Sequence, residues 1–329
     1  MSAPFTEAGN IPVNDATAVI SYSPVVLKVP GRPVDLQIKV TMPESGSDLP
    51  VILLSHGHGT SNFLSSFNGY GPLVNFFAAH GFVVLQPTHL DSLALGLREK
   101  DLPDASLFWR DRATDMHFIL DHLDEVEATV PGLGGRLDRD RIAVVGHSLG
   151  AGTAALLMGQ QILDPDDDRE KDLTDPRIKA GVIIAAPGIG DEHLSAWSRQ
   201  NYPSTQYIDF SKMTGTALVI CGDKDLNLNF SDRLSYRWDA YTYSPGANKT
   251  LLTFFGAEHM FGGVSGYDAA ECSDENPERV ATLRALVWAY LRSILYVGDT
   301  AWPDAVAALE SSPEPIAKLE TRQNPSSTN

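Results

Sequence analysis

The stretch Arg141-Ile-Ala-Val-Val-Gly-His-Ser-Leu-Gly-Ala-Gly152 decides how the rest of the chain is read. A short apolar run, Ile142 to Val145, stops at Gly146-His147-Ser148-Leu149-Gly150. Small residues from Ala151 to Ala155 then run on into Leu156, Leu157 and Met158. The pattern predicts a strand, a sharp turn with a serine at its apex, and a helix. Glycines two before and two after the serine have a steric reason. The turn imposes strained backbone on the serine, and a Cβ on either flank would collide with the neighbouring strand or helix. Such a turn exposes the Ser148 hydroxyl and aims the Leu149 N–H and the helix N-terminus at the same spot. Ser148 is therefore the candidate nucleophile. Gly-x-Ser-x-Gly also arises by chance in long chains, and the strand before it and the small-residue helix after it are what separate this instance from chance.

Outward from this turn, buried strands alternate with helical stripes. Upstream, Ala18–Val29 and Pro33–Thr41 read as strands joined by Pro30-Gly31-Arg32, an antiparallel hairpin. Val51–Leu54 is a fully apolar strand, as expected for one buried on both faces of a parallel sheet. Gly71–His80 is helical in pattern, Phe82–Leu85 is the next strand, and Leu107–Val130 carries one helical stripe ended by Pro131-Gly132. Downstream, Ala180–Ala186, Thr216–Cys221 and Thr250–Phe255 are strands. A helix capped by Asn276-Pro277 runs to about Val297. The charged run Asp164–Asp175 reads as a solvated loop; it fails as a calcium loop, with Arg169 where the sixth-position glycine belongs.

This alternation predicts an α/β protein with a mostly parallel twisted sheet, an N-terminal antiparallel hairpin and helices on both faces. Residues 1–15 form a polar extension. One domain spans 16–298, with loop insertions near 88–104, 187–212 and 226–248. Residues 299–329 form a partly flexible tail with one short helix, its Pro/Ser-rich end from Pro313 to Asn329 expected to be disordered.

The 329 residues carry 25 Lys plus Arg against 42 Asp plus Glu, a formal charge of −17. That balance disfavours nucleic acid and anionic membrane surfaces as partners. No apolar run approaches a membrane span, and the N-terminus lacks the basic and apolar regions of a secretory signal. The expected location is cytoplasmic, with secretion left open for a trimmed N-terminus. Cys221 and Cys272 are too few for a disulfide framework, and a single bridge between them stays open. Oligomeric state is not readable.

A serine hydroxyl needs a base to take its proton and an acid to orient that base. After Leu218–Cys221 comes Gly222-Asp223-Lys224-Asp225. Asp225 is the favoured carboxylate, three residues past the glycine, with Asp223 its rival. After Leu251–Phe255 comes Gly256-Ala257-Glu258-His259, and His259 is the only histidine downstream of both the serine and a strand-end aspartate. The oxyanion of an acyl-transfer intermediate needs donors. One is the Leu149 N–H; the second is assigned to the His58 N–H, in the glycine-rich turn Ser55-His56-Gly57-His58-Gly59. A rival view makes His56, His58 and His89 zinc ligands, but no set with metal-site spacing accompanies them. No cofactor or metal is expected. Phe63, Trp109, Trp197 and Phe261 read equally as pocket walls or as plain core or surface aromatics.

With the order Ser148, Asp225, His259 assembled, the chain resembles the α/β-hydrolase superfamily over nearly its whole length. Its Ser-His-Gly-His-Gly loop and Gly-His-Ser-Leu-Gly turn are similar to the esterase group of platelet-activating-factor acetylhydrolases, chlorophyllases and dienelactone-hydrolase-like proteins. Ser148 departs from dienelactone hydrolases, which use cysteine, and Leu149 departs from the arginine that follows the serine in plant chlorophyllases. The resemblance implies hydrolysis of a small-molecule carboxylic ester through an acyl-enzyme. Amide, thioester or lactone hydrolysis on the same residues is the alternative, and a non-catalytic binding protein with a hydrolase shell is the rival of another class.

Overall fold

In the computed structural model of the chain, which describes residues 8–163, 170–267 and 269–322, apolar runs become strands and periodic stretches become helices. The hairpin β1 (Val19–Leu27) and β2 (Leu36–Pro43) leads into β3 (Leu49–Ser55), α1 (Gly71–Ala79) and β4 (Val83–Pro87). Then come α2 (Trp109–Asp121), α3 (Leu123–Thr129), β5 (Leu137–His147) and α4 (Leu149–Leu157). A small antiparallel sheet is made by β6 (Gln161–Leu163), β7 (Glu170–Asp172) and β9 (Ile208–Asp209); between its strands lie β8 (Ile178–Ile184) and α5 (Ala196–Asn201). The chain continues through β10 (Ala217–Gly222), α6 (Asp239–Tyr243), β11 (Lys249–Phe254), α7 (Pro277–Leu295), α8 (Ala301–Glu310) and β12 (Ala317–Thr321).

Nine strands form the main sheet in the order β1-β2-β4-β3-β5-β8-β10-β11-β12. The six from β4 to β11 run parallel, and β1, β2 and β12 are antiparallel to their neighbours. Alternate residues of each central strand enter opposite cores, as the two-residue period of a strand requires. Ile52 and Leu54 pack with α1, α7 and α8, whereas Val51 and Leu53 pack with α2, α3 and α4. From β3 the chain moves to β4 on one side, and from β5 to β8, β10 and β11 on the other. The strand order therefore reverses between β3 and β5, and the crevice beyond their carboxyl ends is where such sheets bind ligands.

Three expectations are corrected. The stripe over 107–130 is two helices separated at His122, whose φ of −117° and ψ of 26° leave the helical region while its Nδ1–H donates to the Phe118 carbonyl at 2.8 Å with the rings stacked; the apolar face continues into α3. The charged run is not all loop. Glu170–Asp172 pairs with Gln161–Leu163, and 164–169 lie outside the described residues. The Pro/Ser-rich end contains β12, which pairs antiparallel with β11 from Phe254↔Ala317 to Thr250↔Thr321 and covers what would be an open sheet edge. The part of that end at 323–329 lies outside the described residues, as do 1–7 of the N-terminal extension. Cys221 and Cys272 are both free. No helix among the described residues is long and apolar enough to cross a membrane.

The turn after β5 is built as its glycines require. A Cβ on Gly146 would stand 2.0 Å from the Gly150 carbonyl oxygen, against backbone that cannot move aside. Gly146→Ala should therefore lower unfolding stability by about 2 to 4 kcal/mol in urea titrations. Gly134→Ala, whose Cβ would meet only the Glu127 carbonyl at 3.9 Å, should stay within about 0.5 kcal/mol of the parent.

Candidate active site

Ser148 sits at the junction of β5 and α4 with φ 57° and ψ −124°, a backbone that a side-chain-bearing residue holds only under constraint. The constraint comes from three sides. The Ser148 N–H donates to the Ile184 carbonyl at the end of β8 (2.9 Å), a Cβ on Gly150 would lie 2.1 Å from the Ser55 carbonyl oxygen, and one on Gly57 would lie 3.3 Å from Ser148 Cβ. Strand ends β3, β5 and β8 thus hold the serine apex from both neighbours. The Leu149 N–H and the His58 N–H donate to no group among the described residues, and both belong to segments that converge on Ser148.

The three residues expected to act together do meet. Ser148 Oγ lies 2.9 Å from His259 Nε2, and His259 Nδ1 lies 2.8 Å from Asp225 Oδ2. Nδ1–H donating to the carboxylate leaves Nε2 as the acceptor of the serine proton. Asp225 is 4% exposed, and Arg237 Nε approaches its Oδ2 at 3.1 Å. Burial opposes ionisation of Asp225, but the His259 and Arg237 charges outweigh it and hold the carboxyl below its ordinary range. Its rival Asp223 points elsewhere, accepting the Gly256 N–H at 2.7 Å. That bond ties the β10 loop to the β11 loop carrying His259.

A second set of contacts joins these loops to the turn, through residues the sequence did not single out. His147, one position before the serine, is 1% exposed. Its Nε2–H donates to the His259 carbonyl (2.8 Å), and its Nδ1 accepts from the Tyr70 hydroxyl (3.0 Å). The Tyr70 oxygen in turn accepts the Gly57 N–H at 2.9 Å. One chain of hydrogen bonds so runs from the loop bearing His58, through the turn, to the loop bearing His259. Burial, reinforced by the His259 charge, pushes the His147 imidazole down to about 3.

Beneath the loop after β3 lies a buried guanidinium. Arg112 of α2 is fully enclosed and pairs with both oxygens of Asp91, Nε and Nη2 each at 2.9 Å, while Nη1 donates to the His56 carbonyl at 2.8 Å. Asp91 Oδ2 also accepts the His58 Nδ1–H at 2.8 Å. Burial works against the Asp91 charge, yet Arg112 and His58 hold its carboxyl far below the ordinary range. The imidazoles of the rival zinc reading are engaged otherwise. His89 Nδ1–H donates to Asp115 and its Nε2 accepts from the Ser55 hydroxyl, while His56 Nε2 accepts the His89 N–H. Among the described residues no group of His, Cys, Asp and Glu is placed to hold a metal ion. From the far side Glu271 clamps the same loop, taking the Thr60 and Ser61 N–H groups and both hydroxyls at 2.7–3.1 Å.

Ser148, Leu149, His58 and His259 open on a cavity of about 340 Å³ whose apolar wall includes Leu64, Leu107, Pro187 and Phe230. Tyr202 lines it as well, backed by Trp197 edge-on at 5.3 Å. Trp197 is thus a support behind the wall, while Trp109 and Phe261 are buried core. No family model matches the chain, and no curated protein matches it in sequence.

Burial also pushes His56 and His89 well below the ordinary imidazole range. A histidine held neutral in the fold but free to protonate when unfolded withdraws stability as pH falls from about 6.5 toward the folded value. Ring NMR signals of His56, His89 and His147 should accordingly keep their neutral pattern from pH 8 to pH 5. Titration of any of them near 6.5 would contradict the network.

Proposed function

We propose that the chain is a serine hydrolase of the α/β-hydrolase fold that cleaves carboxylic esters of small or medium size through an acyl-enzyme. The observation that carries the reading is the unbroken line Ser148 Oγ to His259 Nε2 to Asp225, at 2.9 and 2.8 Å, on a strained turn that faces a cavity of about 340 Å³. Strain at a half-buried serine is retained where surrounding structure enforces it, and activated nucleophiles are a common reason.

In this reading His259 Nε2 takes the proton from Ser148 Oγ as Oγ bonds to the ester carbon, and the carbonyl electron pair moves to oxygen. The Leu149 and His58 N–H groups hold that oxyanion, each donor worth about 3 kcal/mol of barrier. The bond to the alcohol oxygen then breaks while His259 Nε2–H protonates the leaving alkoxide. Water repeats the sequence on the acyl-enzyme and releases the acid. Asp225 keeps its negative charge throughout and stabilises the imidazolium. Arg237 at 3.1 Å keeps Asp225 from taking the proton itself.

A fluorophosphonate should add once to the intact protein, at Ser148. Ser148→Ala should cut hydrolysis of p-nitrophenyl acetate by ~10⁴ to 10⁶. Near-normal turnover in that variant would overturn the reading. Asp225→Asn, which presents the wrong hydrogen-bonding group to His259 Nδ1, should lower kcat by ~10⁴. Asp223→Asn keeps an oxygen for the Gly256 N–H and should cost less than about tenfold; the reverse ranking would move the acid to Asp223.

A further inference from the structure

The cavity holds a second imidazole bound to a buried carboxylate. His58 lines the same cavity as Ser148 and Leu149, its side chain 15% exposed, with Nδ1 bound to the fully buried Asp91 at 2.8 Å. Asp91 is itself gripped by both arms of Arg112. His58–Asp91–Arg112 therefore repeats the pairing of His259–Asp225–Arg237 beside the same serine. The backbone N–H of His58 is enough for the oxyanion and the Nδ1 bond to Asp91 anchors its loop, so the esterase reading leaves the Nε2 edge of the ring without a task.

The ring is held rigidly. With Nδ1–H donated to Asp91, Nε2 is the nitrogen left for the cavity, and His58 makes no other hydrogen bond among the described residues. Several other polar side chains of the lining are engaged, whereas the Tyr202 hydroxyl makes no hydrogen bond among the described residues and the Asn227 side chain is bound only through Oδ1, which accepts the Asn229 N–H. Glu271 and Thr60 are bound to each other, Thr205 Oγ1 bonds the Tyr202 carbonyl, and Arg237 pairs with Asp225. Tyr202, whose ring meets that of His58 edge-to-face at 5.9 Å, forms the adjoining wall.

From this arrangement we infer that the His58 imidazole is a specificity-determining group, reading a hydroxyl carried by the ester within a few bonds of the scissile carbonyl. The inference rests on the esterase reading. The distance limit follows from the covalent structure, because the N–H aimed at the carbonyl oxygen and the ring belong to one residue. A hydroxyl is the group that fits. It donates to Nε2 of the neutral ring and accepts from Nε2–H of the charged one. An anionic substituent finds no free cation there among the described residues, since Arg237 on the cavity wall is paired with Asp225, and it is opposed by Glu271 on the same wall. A ring held by a buried ion pair needs no ordering when the substrate binds, which favours discrimination.

Isosteric ester pairs test this on either side of the ester bond: ethyl 3-hydroxybutyrate against ethyl 3-methylbutyrate for the acyl part, and 2-hydroxyethyl butyrate against propyl butyrate for the alcohol part. The parent protein should favour the hydroxylated member of one pair by at least ~10-fold in kcat/KM, and the pair that responds says which part His58 reads. His58→Asn retains a donor toward Asp91 but has nothing at the Nε2 position, so that preference should fall to about 1. His58→Gln sets an amide at the Nε2 position and should keep most of it. The readout is the ratio within each variant, which a change in overall rate leaves untouched. A ratio near 1 for the parent in both pairs, or one unchanged in His58→Asn, overturns the inference while leaving Ser148 as nucleophile. Absence of turnover on all four esters together with no fluorophosphonate addition at Ser148 overturns the esterase reading and this one with it.

Discussion

Backbone meets backbone where the turn after β5 presses against the end of β3, and the rest of the site depends on that contact. A Cβ on Gly150 would fall 2.1 Å from the Ser55 carbonyl oxygen, and one on Gly146 would fall 2.0 Å from the Gly150 carbonyl. Only with both side chains absent can α4 start beside the strands, and only then is Ser148 driven to φ 57°. The strain is local, but it is sustained by the whole parallel sheet. The strands on either side of β5 fix the turn through the Ser55 contact and the Ile184 carbonyl.

Around this contact the protein holds its ionisable groups by enclosure and pairing. Each of two buried carboxylates, Asp91 and Asp225, has an imidazole on one side and a guanidinium on the other. A buried charge without partners is costly, and removing one partner of such a pair typically costs about 3 to 5 kcal/mol. The arginines therefore do more than neutralise. Arg112 donates to the His56 and Gly57 carbonyls, so the charge balance of Asp91 and the shape of the loop that offers the His58 N–H are set by one side chain. His147 and Tyr70 complete the coupling, with a ring that burial keeps neutral and whose two nitrogens face one donor and one acceptor.

Parts of this were legible in the chain because they are local. The glycine spacing around Ser148 states a steric demand within five residues, and the apolar run Val51–Leu54 states burial on both faces. Asn276-Pro277 states a helix start, and the Asn276 side chain does cap α7 by accepting the Arg279 N–H. Other parts were masked by stronger local signals. Ala317 and Leu319 alternate with Lys318 and Glu320 as a strand does, but Pro and Ser on both flanks suggest disorder, and only the open edge of β11 supplies the partner that orders them. The break at His122 was hidden because the apolar stripe continues across it. Arg112 lies on a helical stripe and Asp91 in a loop, and nothing in a 21-residue separation says that the two share a buried pair.

The sequence by itself determined the strand–turn–helix at Ser148, the alternation that makes a parallel sheet, and the chain order of serine, aspartate and histidine. Each of these follows from the backbone freedom of glycine, the period of apolar residues, or the ends of strands. Only the tertiary structure shows which of Asp225 and Asp223 faces His259, with Asp225 Oδ2 lying 2.8 Å from His259 Nδ1. It alone brought Tyr70, His147 and Arg112 to the site, and set the side chain of His58 in the cavity over Asp91. Those contacts join residues tens of positions apart through burial and hydrogen bonding, and such pairings exist only once the sheet has brought the loops at its carboxyl edge together.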